Sequence, residues 1–413
     1  MNKLINRPQY LEQLIGHKDV DLVKIVTGIR RCGKSSLLDL FHQYLLKQGI
    51  DEKHIIHMNL ESLKYRNLID YMALYEYVSE RIPEKGKIYL IFDELQNVEH
   101  WEKAIESFRL DFDVDIYITG SNAYLLSTEF STLLSGRYVE IQMLPLSFVE
   151  FLNFNTWEWE EATSIDEKFQ KYMQFGGMPI LSEYNFNEAR CNQALEGIYS
   201  TVILRDILQR NNKIDQNTLH RIAMFLCSNI GSITSPNNVG NVLSSDRAIK
   251  DDKKQHLARN TVEKYISLLK NAFLFFSVSR YDIKGKQLLK TLEKDYIVDL
   301  GFRNMLLGYR DVDREHLLEN VVFLELIRRD YHVYIGKVDS TEVDFIAEKP
   351  NEKIYIQVTE SMNSEEVRNR ELRPLKAIND NYEKIVLSTD RSFVTSDEGI
   401  KILNIIDWLM EKA

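Results

Sequence analysis

Near its amino end the sequence carries two groups of residues spaced for chemistry on phosphate. The stretch GIRRCGKSS sets Gly28, Gly33, Lys34 and Ser35 in the spacing G-x-x-x-x-G-K-[ST], the pattern of a loop that turns its backbone N–H groups inward around a phosphate chain. Glycines are wanted where a Cβ would obstruct a φ > 0 position or the approach of the ligand. In this reading Lys34 reaches the β- and γ-phosphates and Ser35 ligates Mg2+ through its hydroxyl. The backbone of Ile29, Arg30, Arg31, Cys32 and Ser36 completes the cradle at a helix start. The second group closes KIYLIFDE with Asp93 and Glu94. By itself an acidic pair at a strand end is commonly a helix cap. After a phosphate loop it reads as Asp93 holding the Mg2+ through its water shell and Glu94 orienting or deprotonating an attacking water.

Two further positions fit the same chemistry. Ser121 or Asn122, in ITGSN, is placed either to sense the γ-phosphate or the water, or to cap Ala123–Leu126. Arg137, after Gly136, is placed either to stabilise transition-state charge on a neighbouring subunit's nucleotide or to form a surface ion pair.

Elements must bring these residues together. Strands are expected at Leu22–Thr27, His54–Leu60, Lys87–Glu94, Val114–Thr119 and Tyr138–Met143, with helices at Ser35–Gln48 and Ile69–Ile82. Such alternation predicts an α/β fold built on a parallel sheet, whose ligands bind beyond the carboxyl ends of the strands. A short helix with Arg7, Tyr10, Leu11 and Leu14 precedes the first strand and serves either core packing or contact with an adenine.

The totals set limits. At 413 residues and 44% apolar composition the chain can build two or three domains with real cores. A formal charge of −10 argues against coating nucleic acid by bulk attraction, so such binding would need a local basic face. Cys32, Cys191 and Cys227 show neither zinc-ligand spacing nor a disulfide frame. The longest apolar runs are too short to span a bilayer and the first residues lack a signal-peptide core, so a cytoplasmic location is expected.

Downstream, TWEWEEA at Thr156–Ala162 marks passage into a helical lid, and Arg205 in ILRDILQR is either a lid arginine for the γ-phosphate or part of a solvated helix face. From Thr218 to about Asp299 the order of three helices, then strand, Lys-Gly-Lys turn and strand, reads as a winged helix. Arg259, Lys264, Arg280, Lys284 and Lys286 form a basic cluster on it, suited to duplex DNA phosphates, while winged helices also serve as protein-packing modules.

The strings GIRRCGKSSLL, YLIFDELQNV, ITGSNAYLLS and LSGRYVEIQMLPLSFVEF, in this order, resemble the AAA-type ATPase module of a large bacterial and archaeal group of ATPases. In that group a helical and winged-helix region and a nuclease-like domain follow. The resemblance implies a P-loop ATPase core over 1–153, a helical lid over 154–214, a winged-helix-like region over 215–300 and a nuclease-like domain over 301–413, with ATP and Mg2+ as cofactors. It also places Gly177 and Pro179, in FGGMPI, in a lid element whose proline lies on the adenine; by their residue types alone the two glycines ahead of Pro179 read as a helix-ending turn.

The C-terminal pattern is similar to the PD-(D/E)XK nuclease core, Glu319 matching its helix acid and Asp344 its strand acid. Gln357 and Thr359 stand where that core has a carboxylate and a lysine, so cleavage is expected to be lost. The leading expectation is an ATPase driving or gating a conformational change, homo-oligomeric if Arg137 acts in trans. A slow nucleotide-gated interaction switch and an ATP-dependent nuclease are the alternatives.

Overall fold

A computed structural model describes residues 6–126, 136–155, 162–209, 211, 213–245, 258–310, 313–391 and 395–411. The chain divides into two compact units, residues 1–145 with 271–273, and residues 146–270 with 274–413.

The first unit is built on five strands: β1 (Val23–Thr27), β2 (Ile55–Asn59), β3 (Ile88–Asp93), β4 (Val114–Gly120) and β5 (Tyr138–Gln142), in the order β2-β3-β4-β1-β5. All neighbours are parallel. β1 and β3 are buried at every residue, which is why their sequences run apolar instead of alternating. Helices α1 (Pro8–Gly16), α2 (Lys34–Lys47), α3 (Tyr71–Ser79) and α4 (Trp101–Asp111) complete the unit. Leu90, Phe92, Ile116 and Ile118 from the sheet pack with Leu74, Val78, Ile105 and Phe108 in one core. The expected strands and helices are all present, with ends moved by one to three residues. The connection carrying residues 127–135 lies outside the described residues.

A buried ion pair interrupts the apolar sheet. Lys24 on β1 is fully buried and meets Asp115 at 2.5 Å and the Val20 carbonyl at 2.6 Å. Tyr117 Oη and Asp19 N each donate to the same carboxylate, at 2.8 Å. Removing one partner of a buried pair strands the other charge. Asp115→Ala is therefore expected to destabilise the chain by about 3–5 kcal/mol in urea unfolding. A cost within experimental error of zero would mean that Lys24 finds water there.

In the second unit, α5 (Phe148–Phe154) and α6 (Ile165–Phe175) each begin with a reciprocal cap, Ser147 with Glu150 and Ser164 with Glu167. Helix α7 (Glu188–Thr201) runs on into a π-helical segment, Val202–Leu208, which carries Arg205. Then come α8 (Gln216–Ser228), β6 (Ile233–Thr234), α9 (Pro236–Ser245), α10 (Arg259–Asn271) and the hairpin of β7 (Phe275–Asp282) and β8 (Gln287–Ile297). Helices α11 (Leu300–Leu307) and α12 (Arg314–Arg328) lead to β9 (His332–Val338), β10 (Thr341–Lys349), β11 (Glu352–Val358), α13 (Glu365–Lys376), β12 (Glu383–Ser388), β13 (Ser396–Asp397), β14 (Ile400–Asn404) and α14 (Ile405–Met410).

These strands form one nine-stranded sheet, β13-β14-β12-β11-β10-β9-β7-β8-β6. β7 pairs parallel with β9 through Arg280↔Ile335 and Asp282↔Lys337. The sheet is thus continuous across residue 300, where the resemblance implies a domain boundary, because the edge of the hairpin finds its backbone partners in β9. Residues 156–161 of the acidic aromatic stretch lie outside the described residues.

Candidate functional site

The loop after β1 is fixed by close packing. Gly28 has φ +142°, and a Cβ built there would stand 2.2 Å from the Met143 carbonyl oxygen. Gly33, at φ +111°, precedes α2, and Arg31 also takes a positive φ of 65°. Ile29 and Cys32 are fully buried anchors of the turn. Arg7, only 4% exposed, donates to the carbonyls of Cys32 (3.2 Å), Leu144 (2.9 Å) and Pro145 (3.3 Å). Tyr10 Oη accepts from Leu144 N, and the Arg7 guanidinium lies over the Tyr10 ring. Of the two sequence readings of this pair, the packing one matches these contacts: Arg7 and Tyr10 brace the loop from behind.

Ser35 and Ser36 lie exposed in the first turn of α2, where the leading N–H groups have no intrahelical acceptor. The Lys34 ammonium folds back on its own loop, donating to the carbonyls of Gly28 (2.9 Å) and Ile29 (3.0 Å). Arg30 reaches Glu61 at 3.1 Å.

At the carboxyl edge of the sheet the register aligns Asn59 with Asp93 and Phe92 with Ile118, which carries Asp93 opposite Thr119. Asp93 is held on both oxygens, Asn59 Nδ2 donating to Oδ2 at 2.8 Å and Thr119 Oγ1 to Oδ1. Glu94 N donates to Thr119 Oγ1 at 2.9 Å. The Glu94 carboxylate accepts from Gln96 Nε2 and lies 3.4 Å from Ser121 Oγ. Burial drives its pKa above the ordinary glutamate range, against the opposing pull of Lys34 and Arg30. Ser121 and Asn122 are both buried beside this edge.

β4 lies between the loop strand and the acid strand, so Asp93 is two strands from β1 and Thr119 fills the interval. Asn59, Thr119 and Gln96 were not among the residues expected from sequence. The available signal was a polar residue at the carboxyl end of β2 and of β4, beside the acids of β3.

The remaining expected residues fall elsewhere. Arg137 is exposed, and its carbonyl accepts from Val23 N at the start of β1. Four residue steps of strand, about 13 Å, separate that point from the loop end of β1. Pro179 opens a short 3-10 helix, Pro179–Tyr184. The glycines before it are tightly enclosed: Gly177 N donates to Asp299 Oδ2 at 2.6 Å, and a Cβ at Gly177 would meet the Leu146 carbonyl at 2.3 Å. Arg205 is exposed.

The expected basic cluster is partly neutralised, since Arg259 pairs with Glu263 and Lys284 with Asp339. Glu319 and Asp344 do converge, around a residue that the sequence did not single out, Lys294. Among the described residues no helix is long and apolar enough to cross a membrane.

A parallel sheet in this strand order, with a glycine-bounded loop after β1 and an acid pair closing β3, gives the first unit the fold of AAA-type P-loop ATPases. Residues 21–152 match the AAA domain family, and residues 166–313 match a domain of unknown function, DUF8612. Among solved structures the Walker-type ATPase of Pyrococcus abyssi shares the fold, with a TM-score of 0.52 at 15% identity over 73% of this chain and 95% of that one. An uncharacterized protein of Haemophilus influenzae is 40% identical over 99% of both chains, and this chain belongs to its family. A Methanocaldococcus jannaschii protein, also uncharacterized, is 28% identical over 98% of this chain and 90% of its own length.

Proposed function

We propose that the chain binds ATP at the loop around Lys34 and hydrolyses it with Glu94 as the group that orients or deprotonates water, using the cycle to gate its second unit. The observation that carries this reading is geometric: a buried Glu94 carboxylate follows Asp93, which Asn59 and Thr119 hold, at the sheet edge, where the charges of Lys34 and Arg30 on the loop oppose the rise that burial gives its pKa. The donor set fits Mg2+, which takes hard oxygens: the Ser35 hydroxyl and the Asp93 carboxylate would hold it, Asp93 through water. Bound there, the ion would neutralise charge on the phosphate oxygens.

The chain's own groups do the rest. Asn59 and Thr119 fix Asp93, Ser121 or Asn122 reports the state of the γ-phosphate, and Lys34 leaves the carbonyls of Gly28 and Ile29 for the phosphates. Gln96 and Ser121 both contact Glu94 Oε2, which leaves Oε1 to accept from a water.

In the second unit the order α8-β6-α9-α10-β7-β8, with β6 against β8, supports a winged-helix reading of 215–300. The helix followed by β9, β10, β11, α13 and β12 supports a nuclease-like reading of 301–413. Residues 154–214 are read as the lid, with Pro179 toward the adenine and Arg205 as a second arginine. Duplex DNA contact would fall to Lys264, Lys286 and Arg280, the basic residues left by the ion pairs at Arg259 and Lys284.

Lys34→Ala tests the nucleotide site. Loss of a charged hydrogen-bond donor to phosphate is expected to weaken ATP binding by about tenfold to a hundredfold, read by titration with a fluorescent ATP analogue. Unchanged affinity would exclude the loop as the binding site.

A further inference from the structure

The nuclease-like region has an acidic centre that is already filled by a cation of the chain's own. Lys294 enters from β8 and is 4% exposed. Its Nζ stands 2.8 Å from Glu319 Oε1 on α12, 2.8 Å from Glu342 Oε1 on β10, and 3.9 Å from Asp344 Oδ1 on the same strand. Tyr296 Oη donates to the same Glu319 oxygen at 2.5 Å. The other Asp344 oxygen accepts from Val358 N at 2.8 Å, and His316 Nδ1 lies 3.8 Å from Glu319 Oε2. Thr359, in the position of the missing lysine, has Oγ1 3.3 Å from both Glu315 Oε1 and the Ser361 carbonyl, so its hydroxyl is engaged by groups other than Glu319, Glu342 and Asp344.

A phosphodiesterase centre of this kind implies a divalent cation, and the residues present do not fit one. Mg2+ requires near-octahedral oxygen ligands at about 2.0–2.1 Å. Here the carboxylate oxygens that would supply them already neutralise an ammonium. A dication placed among them would sit only a few ångströms from that positive charge in a buried setting, where repulsion is barely screened. Gln357 adds a neutral amide oxygen and no compensating charge.

We propose that the Lys294 ammonium takes the place of the divalent cation in this carboxylate centre, so that the wild-type chain binds no metal there and cleaves no phosphodiester. The ion cluster instead ties the β7–β8 hairpin to α12 and β10. The inference rests on the nuclease-like reading of residues 301–413 and is independent of the phosphate loop.

The test uses the full chain without nucleotide and Mn2+ alone as the probe, with free Mn2+ followed by electron paramagnetic resonance. Wild type and Asp344→Asn are expected to titrate identically. Lys294→Met is expected to gain one Mn2+ site at least about tenfold tighter than any wild-type background, and Lys294→Met/Asp344→Asn to lose it. If Lys294→Met does not fold, Lys294→Met/Glu342→Gln decides, because it removes one charge of each sign and leaves Glu319 and Asp344 as ligands; it too is expected to gain the site. A wild-type Mn2+ site that Asp344→Asn removes would overturn the proposal, as would Mn2+-dependent nicking of plasmid by wild type lost in Asp344→Asn. So would failure of both Lys294 variants to bind. ATP turnover of the same samples reports separately on the loop around Lys34.

Discussion

Glu94→Gln is expected to bind ATP as well as wild type and to turn it over about 10²–10⁴-fold more slowly, the range contributed by a positioned general base. The amide keeps the shape of the side chain and can still accept from Gln96, so binding and fold should be spared. Single-turnover hydrolysis beside equilibrium ATP binding separates the two effects, and wild-type turnover in the variant would remove Glu94 from the mechanism.

The same group predicts a pH dependence. Burial raises the Glu94 pKa, so the ionised base is lost as pH falls through a value above the ordinary glutamate range. The acid limb of kcat/KM should lie there in wild type and be absent in Glu94→Gln. The linkage has the opposite sign for stability. A carboxyl whose folded pKa is raised contributes stability at low pH that is lost as pH rises through that pKa. Glu94→Gln should therefore be no less stable than wild type above neutrality, measured by urea unfolding at two pH values.

Arg137→Ala carries the second large effect. Its position at the start of β5, beside Val23 and exposed, puts it at the opposite end of β1 from its own loop. In this reading Arg137 serves a neighbouring subunit's nucleotide, a role worth about 10³–10⁵ in turnover for arginines that stabilise transferring phosphoryl charge. Arg137→Ala is expected to bind ATP normally and lose most turnover. Mixing it with Lys34→Ala, which keeps Arg137 but leaves its own site largely empty at ATP concentrations near the wild-type Kd, should restore part of the activity. Full activity of Arg137→Ala alone would leave the arginine as a surface group facing Asp21, whose carboxylate it already helps hold below the usual range behind the stronger effect of Arg109.

Much of the first unit was legible because its signals are local. A glycine-bounded loop, an apolar strand closed by two acids and a helix start occupy contiguous residues, and their types alone restrict what the backbone can do. The strand order was less accessible: nothing in the periodicity of Val114–Gly120 says that it inserts between β1 and β3. That insertion makes Thr119 the bridge to Asp93. Arg7 shows the same limit, since its sequence position fits an adenine contact as well as the three carbonyls that it binds.

The second unit is harder for the same reason. In QLLKTLEKDYI, Lys294 reads as one more solvated lysine of a charged strand, and the Lys-Gly-Lys turn reads as the tip of a free wing. Pairing of β7 with β9 places this hairpin inside the larger sheet and brings Lys294 to acids 25, 48 and 50 residues further along the chain.

The sequence by itself determined that a phosphate loop and an acid pair are present, since contiguous residue types decide backbone freedom and charge. Only the tertiary structure decided which distant side chains neutralise those charges. That depends on strand order and register, which decide which side chains of neighbouring strands stand opposite one another, as Asn59 and Thr119 do to Asp93.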